Sequence, residues 1–420
     1  MFRPARCGRR RTSVRLASLG RSTLDAAVEP ARPSSAARAM VEHLIAFQTV
    51  SRDSNLGLIE WVRDHLAKLG ASTRLTYDGS GKKANLFATL GDSPHPGLVL
   101  SGHTDVVPVD GQSWDTDPFR AVEREGRLYA RGSADMKGFI GVALVQAQKF
   151  LDALNAGRLD RPLHYALSYD EEVGCIGVRG LIRDLQENGI KPGGCVVGEP
   201  TSMQPIIAHK GMNRFRCAVR GREAHSSYVT RGVNAIEYAA RLIVYIRQIA
   251  DRLAQFEQRD LGFTVPYTTL STGLIRGGIA ANVVPKECEF QFDLRTLPQA
   301  CADALYEEIR AYADVLAREM RAVEPHAGIE LEWASQTVGL AAAESDAIVQ
   351  WAMRLARSTT TGKVSYGTEA GLFQQMGVPT VILGPGDIAE AHRPNEFVAL
   401  EQLAHCETFM NRIVEAGFPP

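Results

Sequence analysis

Long apolar runs are missing from this chain. Every hydrophobic stretch is broken by charged or polar residues before it reaches the roughly 20 residues a membrane-spanning helix needs. Cysteine is scarce too: seven in 420 residues, dispersed and with no Cys-x-x-Cys pair. That excludes a disulfide framework and a thiolate zinc cluster, and it suits reduced thiols, so a cytoplasmic protein is expected. Neither sign of charge dominates. The 47 basic and 48 acidic residues leave a formal net charge of −1, so there is no basic field for nucleic acid and no acidic solvating tail. No glycine-rich turn joins a strand to a helix in the dinucleotide or phosphate-loop pattern, which argues against a nucleotide cofactor.

What is present reads as a folded enzyme. A chain of 420 residues exceeds one ordinary hydrophobic core, so two domains are expected. The first two dozen residues are rich in Arg and Ser, with Asp25 the first acid. Residues 1–35 are therefore set apart as a disordered or targeting extension. Beyond them, short apolar runs such as "ANLFATL", "GLVLSG", "PLHYALSY", "GGCVVG" and "PTVILG" alternate with helix-like segments. This predicts an α/β fold with a central, mostly parallel sheet flanked by helices, built from residues 36–209 and 336–420. Residues 210–335 change rhythm to β-α-β-β-α-β, an inserted α+β ferredoxin-like unit.

The polar residues that end the apolar runs carry the chemistry. "VLSGHTDVVPV" passes from a predicted strand into His103 and Asp105, at the sheet edge where open α/β proteins bind ligands. A metal-bound imidazole donates its second N–H to an oxygen that fixes the ring, so the two read as ligand and orienter, or one of them acts alone. Each candidate has an ordinary reading in isolation; Asp135 in "ARGSADMKG" suits a helix N-cap. The pattern nevertheless recurs. "LSYDEEVG" presents Glu171 and Glu172, "VVGEPT" presents Glu199, and "GPGDIAEAHRPNE" brings in His392. Two imidazoles with several carboxylates form a mixed nitrogen and oxygen donor set, which suits zinc, cobalt or manganese better than magnesium or calcium. The supply covers two ions with one bridging carboxylate, and leaves a carboxylate over to act as base.

"SGHTDVVP", "GSADMKG", "DEEVG", "GEPT" and "AHRPNE" resemble the M20 family of co-catalytic zinc amidohydrolases, in the right order over about residues 38–416. "EPTSMQPIIAHKG", "AHSSYVTRGVNAIE", "FTVPYTTL", "YGTEAG" and "ILGPGDIAEAHRPNE" resemble the branch that deacetylates N2-acetyl-ornithine. The resemblance implies two divalent ions, zinc with cobalt as the alternative, bridged by Asp135. His103 and Glu199 would complete one site, Glu172 and His392 the other. Asp105 would orient His103, and Glu171 would be the general acid/base. Residues 210–335 would form a lid and dimerisation domain. From it, His225 would reach the substrate carbonyl across a homodimer, while Asn282 and Arg295 would hold the substrate carboxylate. Thr368 and Glu369 would line the acyl pocket. The implied partner is a small N-acyl amino acid. Competing expectations are another N-acyl amino acid or dipeptide, succinyl-diaminopimelate among them, and a zinc-binding scaffold that has lost the reaction. The presence of Glu171 and of every ligand speaks against the scaffold.

Overall fold

Four strands, Leu163–Ser168, Leu98–His103, Gly194–Val197 and Thr380–Ile382, lie parallel and adjacent in the middle of a nine-stranded sheet. They belong to a computed structural model that describes residues 31–419. All four are buried along their whole length. Leu98 and Leu100 enter one core, with the helices Ser35–Ile45, Lys137–Asn155 and Leu400–Ala416. Val99 between them enters another, with the helices Ile176–Glu187 and Ala370–Gln375. Burial on both faces explains why these strands are apolar without alternation.

The sheet is mixed, and its run of adjacent parallel strands is confined to this middle. Strand Ala84–Leu90 pairs antiparallel with Leu163–Ser168 and with Ser72–Tyr77. The six residues from Asp78 to Lys83 that join the first two strands are too few for a parallel crossover. At the other margin, Ile206–His209 pairs antiparallel with Thr380–Ile382 and Leu340–Ala341, and parallel with Gly362–Val364.

Strands Thr269–Gly277, Glu287–Thr296, Gly211–Arg220 and Gly328–Thr337 form a separate antiparallel sheet in that spatial order. Helices Ala235–Phe256 and Ala302–Arg321 pack on it, and Phe215, Phe290, Phe292, Leu242 and Ile309 lie in a core of its own. Strand Gly211–Arg220 alternates buried with more exposed positions, as a sheet covered on one face requires.

The extension read over residues 1–35 lies outside the described residues as far as Pro30. Over its last residues the chain is already engaged: Arg32 pairs with Glu123 at 2.8 Å, and Ser34 caps the helix Ser35–Ile45 by accepting from the Ala37 amide at 3.1 Å. Among the described residues, no helix is long and apolar enough to cross a membrane.

Two glycines let the carboxyl ends of adjacent strands deliver their loops. A Cβ on Gly198 would fall 2.0 Å from the Phe139 ring, and one on Gly384 would fall 2.1 Å from the Gly198 carbonyl oxygen. The chain must pass both points to bring Glu199 and the loop containing His392 to the same edge. Gly198→Ala and Gly384→Ala should each destabilise the fold by about 1–3 kcal/mol through overpacking. Gly273→Ala, where an added methyl meets open space, should be neutral or stabilising. Denaturant unfolding midpoints measure all three; equal effects would remove the close approach as the reason for these glycines.

Candidate metal centre

The carboxyl ends of the four parallel strands deliver His103, the Asp170–Glu172 turn, Glu199 and, further along, His392. Asp135 joins them from the loop before helix Lys137–Asn155. The N-cap position of that helix is Met136, with no side-chain cap bond, so the Asp135 carboxylate is not spent on capping. One of its oxygens, Oδ1, lies 2.9 Å from His103 Nε2; the other, Oδ2, lies 3.4 Å from His392 Nε2. Glu199 stands 3.9 Å from His103 Nε2, and Glu172 stands 2.9 Å from His392 Nε2. The result is two triads, His103–Asp135–Glu199 and Asp135–Glu172–His392, whose ligand atoms lie within 4.8 Å of one another and which share Asp135.

Electrostatics shows what the cluster lacks. Burial lowers the His103 pKa, but its bond to Asp135 together with the charges of Asp135, Glu199 and Glu171 outweighs that and holds it well above its ordinary value. Hydrogen bonds to Asp135 and Glu172 push His392 up to about 10. Burial, reinforced by the Asp135 charge, raises both Glu199 and Glu172. Burial also works against Asp135, yet the bonds from His103 and His392 keep it ionised below the usual carboxylate range. Imidazoles that hold protons and carboxylates that resist ionising have one cause: negative charge is packed out of water without enough positive charge to balance it. Divalent cations supply that charge, and the donors are the nitrogen and carboxylate oxygen types that zinc or cobalt takes. The residues present therefore fit a pair of metal ions.

The three consecutive acids diverge. Asp170 has a left-handed backbone (φ 53°) and pairs with Lys83 at 2.6 Å. Glu172 meets His392. Glu171 belongs to neither triad; it is buried, accepts a hydrogen bond from the Cys175 thiol at 3.2 Å, and is pushed up to about 8 by burial and its acidic neighbours. Asp105 acts differently from expectation. The His103 ring donates from Nδ1 to the backbone carbonyl of Asp105 at 2.9 Å, while the Asp105 carboxylate lies 3.7 Å away. That carboxylate accepts from the Ser51 hydroxyl at 2.7 Å and from the Glu171 and Glu172 amides at 3.1 and 3.4 Å, so it braces the acidic turn.

A cavity of about 310 Å³ opens on the centre, walled by Glu171, Glu172, Glu199 and His392 on one side and by Met212, Arg214, Arg295 and Ser335 of the smaller sheet on the other. Arg295 donates to Asp293 at 2.7 Å. Arg214 has no carboxylate partner among the described residues. His225 and Asn282 do not line this cavity. They adjoin one another on the outside of the smaller sheet's unit, where His225 is exposed and the Asn282 carbonyl accepts from the Ser226 amide at 3.0 Å. Thr368 and Glu369 are not lining residues either. Glu369 is buried, with its two oxygens accepting from Ser101 at 2.6 Å and Ser168 at 2.7 Å; Thr368 accepts from the Ala370 amide at the start of a helix. Their neighbours Tyr366 and Gly367 face the cavity instead. Neither Arg214 nor Tyr366 stands out in the sequence, because an arginine in an alternating strand and a tyrosine in a loop are ordinary.

Fold and site together describe a metal-dependent hydrolase centre, built around one shared carboxylate at the edge of an α/β sheet. Residues 99–416 match the profile of peptidase family M20/M25/M40, and the chain belongs to that family. It is 35% identical over 384 residues to an acetylornithine deacetylase of Pasteurella multocida, covering 89% of this chain and 96% of that one. It is 36% identical over 385 residues to an acetylornithine deacetylase of Myxococcus xanthus, covering 90% and 97%. Among solved structures, aminopeptidase PepT of Bacillus cereus superposes with a TM-score of 0.69 at 19% identity, covering 90% of this chain and 97% of that one. The M20 metallo-carboxypeptidase Sso-CP2 of Sulfolobus solfataricus also reaches 0.69, at 17% identity over 90% and 98%. At such identities these two share the fold. The chain is accordingly an amidohydrolase of the M20 family.

Ligation requires both imidazoles to be neutral on the metal side. His103 and His392, held above their ordinary values, are protonated near neutral pH in the metal-free protein. Zinc must displace those protons, so its apparent affinity should rise with pH through neutrality and up to about 10, where His392 loses its proton unaided. Calorimetry in two buffers of different ionisation enthalpy should show net proton release on binding. Release of no protons would exclude these histidines as the ligands.

Proposed function

We propose that this chain hydrolyses N2-acetyl-L-ornithine to acetate and L-ornithine, the deacetylation step of arginine biosynthesis, with two zinc or cobalt ions bound. One observation carries the hydrolytic part of this reading: Asp135 turns one oxygen to each imidazole, while Glu171 stands beside both triads and belongs to neither. The acyl amino acid is inferred from the names of the two deacetylases above.

When bound, a pair of divalent ions polarises the scissile carbonyl and eases deprotonation of a water. Glu171, pushed up to about 8, is suited to take that proton and to return it to the leaving amine, since an acid/base works best with a pKa near the working pH. Arg295 and Arg214 supply guanidinium groups for the substrate carboxylate. His225, exposed on its own chain, would serve the oxyanion of a second copy. A homodimer formed through the smaller unit fits its surface. Strand Thr269–Gly277 is an edge strand on which Leu274 and Ile275 are exposed, an arrangement that invites pairing. Six free cysteines among the described residues suit the reducing conditions of the cytoplasm.

A second reading, removal of a succinyl group as from succinyl-diaminopimelate, has one feature in its favour. Arg214 is a cation in the cavity beyond the Arg295–Asp293 pair, and it would suit a second substrate carboxylate. A panel of N-acetyl and N-succinyl amino acids, assayed for released amine, separates the two; fastest turnover on a succinylated substrate would overturn the first. Glu171→Gln should keep both metals and lose about 10²- to 10⁴-fold in turnover. His225→Ala should also keep metal and lose turnover. Mixing these two inactive variants should restore activity, because one mixed dimer pairs an intact Glu171 with the partner's intact His225. Failure to complement would place His225 outside the reaction.

A further inference from the structure

Asp135 and His392, on which the Asp135–Glu172–His392 triad depends, both come from irregular chain. Asp135 precedes a helix, and His392 is more than half exposed with a left-handed backbone (φ 63°), a conformation that residues other than glycine adopt at a cost. Something outside the triad must hold them in register.

Glu396, four residues beyond His392, is buried. Its Oε1 accepts the backbone N–H of Ala134 at 3.0 Å and of Asp135 at 3.1 Å, and its Oε2 accepts from Arg131 Nη1 at 2.7 Å. Arg131, equally buried, donates from Nη2 to Gln112 Oε1 at 2.7 Å. Its guanidinium lies 5.1 Å from the centre of the Trp114 ring, and Trp114 Nε1 donates to the same Gln112 oxygen at 3.1 Å. Two donors on one end of the Gln112 amide fix which end is oxygen. The nitrogen end is thereby turned to the His392 carbonyl, to which it donates at 2.9 Å. The circuit runs from the amide of the shared carboxylate residue, through Glu396, Arg131 and Gln112, to the backbone of the exposed histidine.

We infer that Glu396, Arg131 and Gln112 are positioning residues that set Asp135 against His392 and so give the Asp135–Glu172–His392 triad its affinity for its ion. The other triad shares Asp135 but takes its remaining two ligands from buried strand ends. His103 is the last residue of a buried strand, with its ring fixed by the Asp105 carbonyl, and Glu199 follows a second buried strand. Loss of the circuit therefore weakens one site selectively. The inference rests on the two-ion reading above.

The test is calorimetric titration of zinc into the metal-free full-length chain, with thermal melting recorded alongside. The wild type should bind two zinc ions. Gln112→Ala removes a half-buried side chain, so it should melt near the wild type; it should bind the first zinc unchanged and the second about 10- to 100-fold more weakly, the usual cost of losing an outer hydrogen-bond partner. Glu396→Gln keeps an acceptor for the two amides but turns an N–H at Arg131, and it should show the same selective loss. Unchanged second-site affinity in both folded variants overturns the inference and leaves the two-ion reading standing. Equal weakening of both sites also overturns it. A wild type that binds fewer than two zinc ions refutes the two-ion reading itself.

Discussion

The buried negative charge of Asp135 is the constraint that organises the rest. A carboxylate removed from water is tolerated only if both its oxygens find positive or donating partners. Here each oxygen finds an imidazole, and behind each imidazole stands a further carboxylate. That order of charges, with two acidic flanks around a shared acidic centre, is costly on its own and is offset when divalent cations enter. Close packing elsewhere serves it. Gly198 and Gly384 carry no side chains because two strand ends must pass close to Phe139 and to each other to deliver their loops.

The parallel middle of the sheet converts sequence separation into proximity. Strands that run the same way end at the same edge, so residues as far apart as 103, 171, 199 and 392 meet without any local motif joining them. The margins of the sheet contribute no ligand to either triad; they widen the sheet and lead directly into the inserted unit through Ile206–His209 and Gly211–Arg220.

This explains what could be read in advance. Apolar strands and their polar ends are local patterns, so the core strands, the inserted β-α-β-β-α-β order and the residues ending each strand were legible. The mixed pairing at the margins was less so, because a short strand carries no mark of its direction. Functions that depend on side-chain direction were least legible. Asp105 is two residues from His103, yet its carboxylate turns to Ser51 and the acidic turn while its carbonyl holds the ring. Thr368 and Glu369 lie next to cavity-lining residues but point into the core. Glu396 stood in plain view at the end of "AHRPNE" and still offered no hint that it reaches back to the amide of Asp135.

The two triads differ in exposure, and that difference carries a mechanistic consequence. All three side chains of the His103 triad are buried, whereas the other triad adds an exposed His392 to the buried side chains of Asp135 and Glu172. The cavity is lined by Asp135, Glu171, Glu172, Glu199 and His392 but not by His103. On the proposed reading, a substrate entering it would have Glu171, Glu172, Glu199 and His392 on one wall and the guanidinium groups of Arg214 and Arg295 opposite. A buried ligand set exchanges its ion slowly, because opening it means unpacking strand ends. An exposed one must be held by its surroundings to be precise at all. The circuit from Glu396 to Gln112 is placed on the side that needs it, and the strand-anchored side has none.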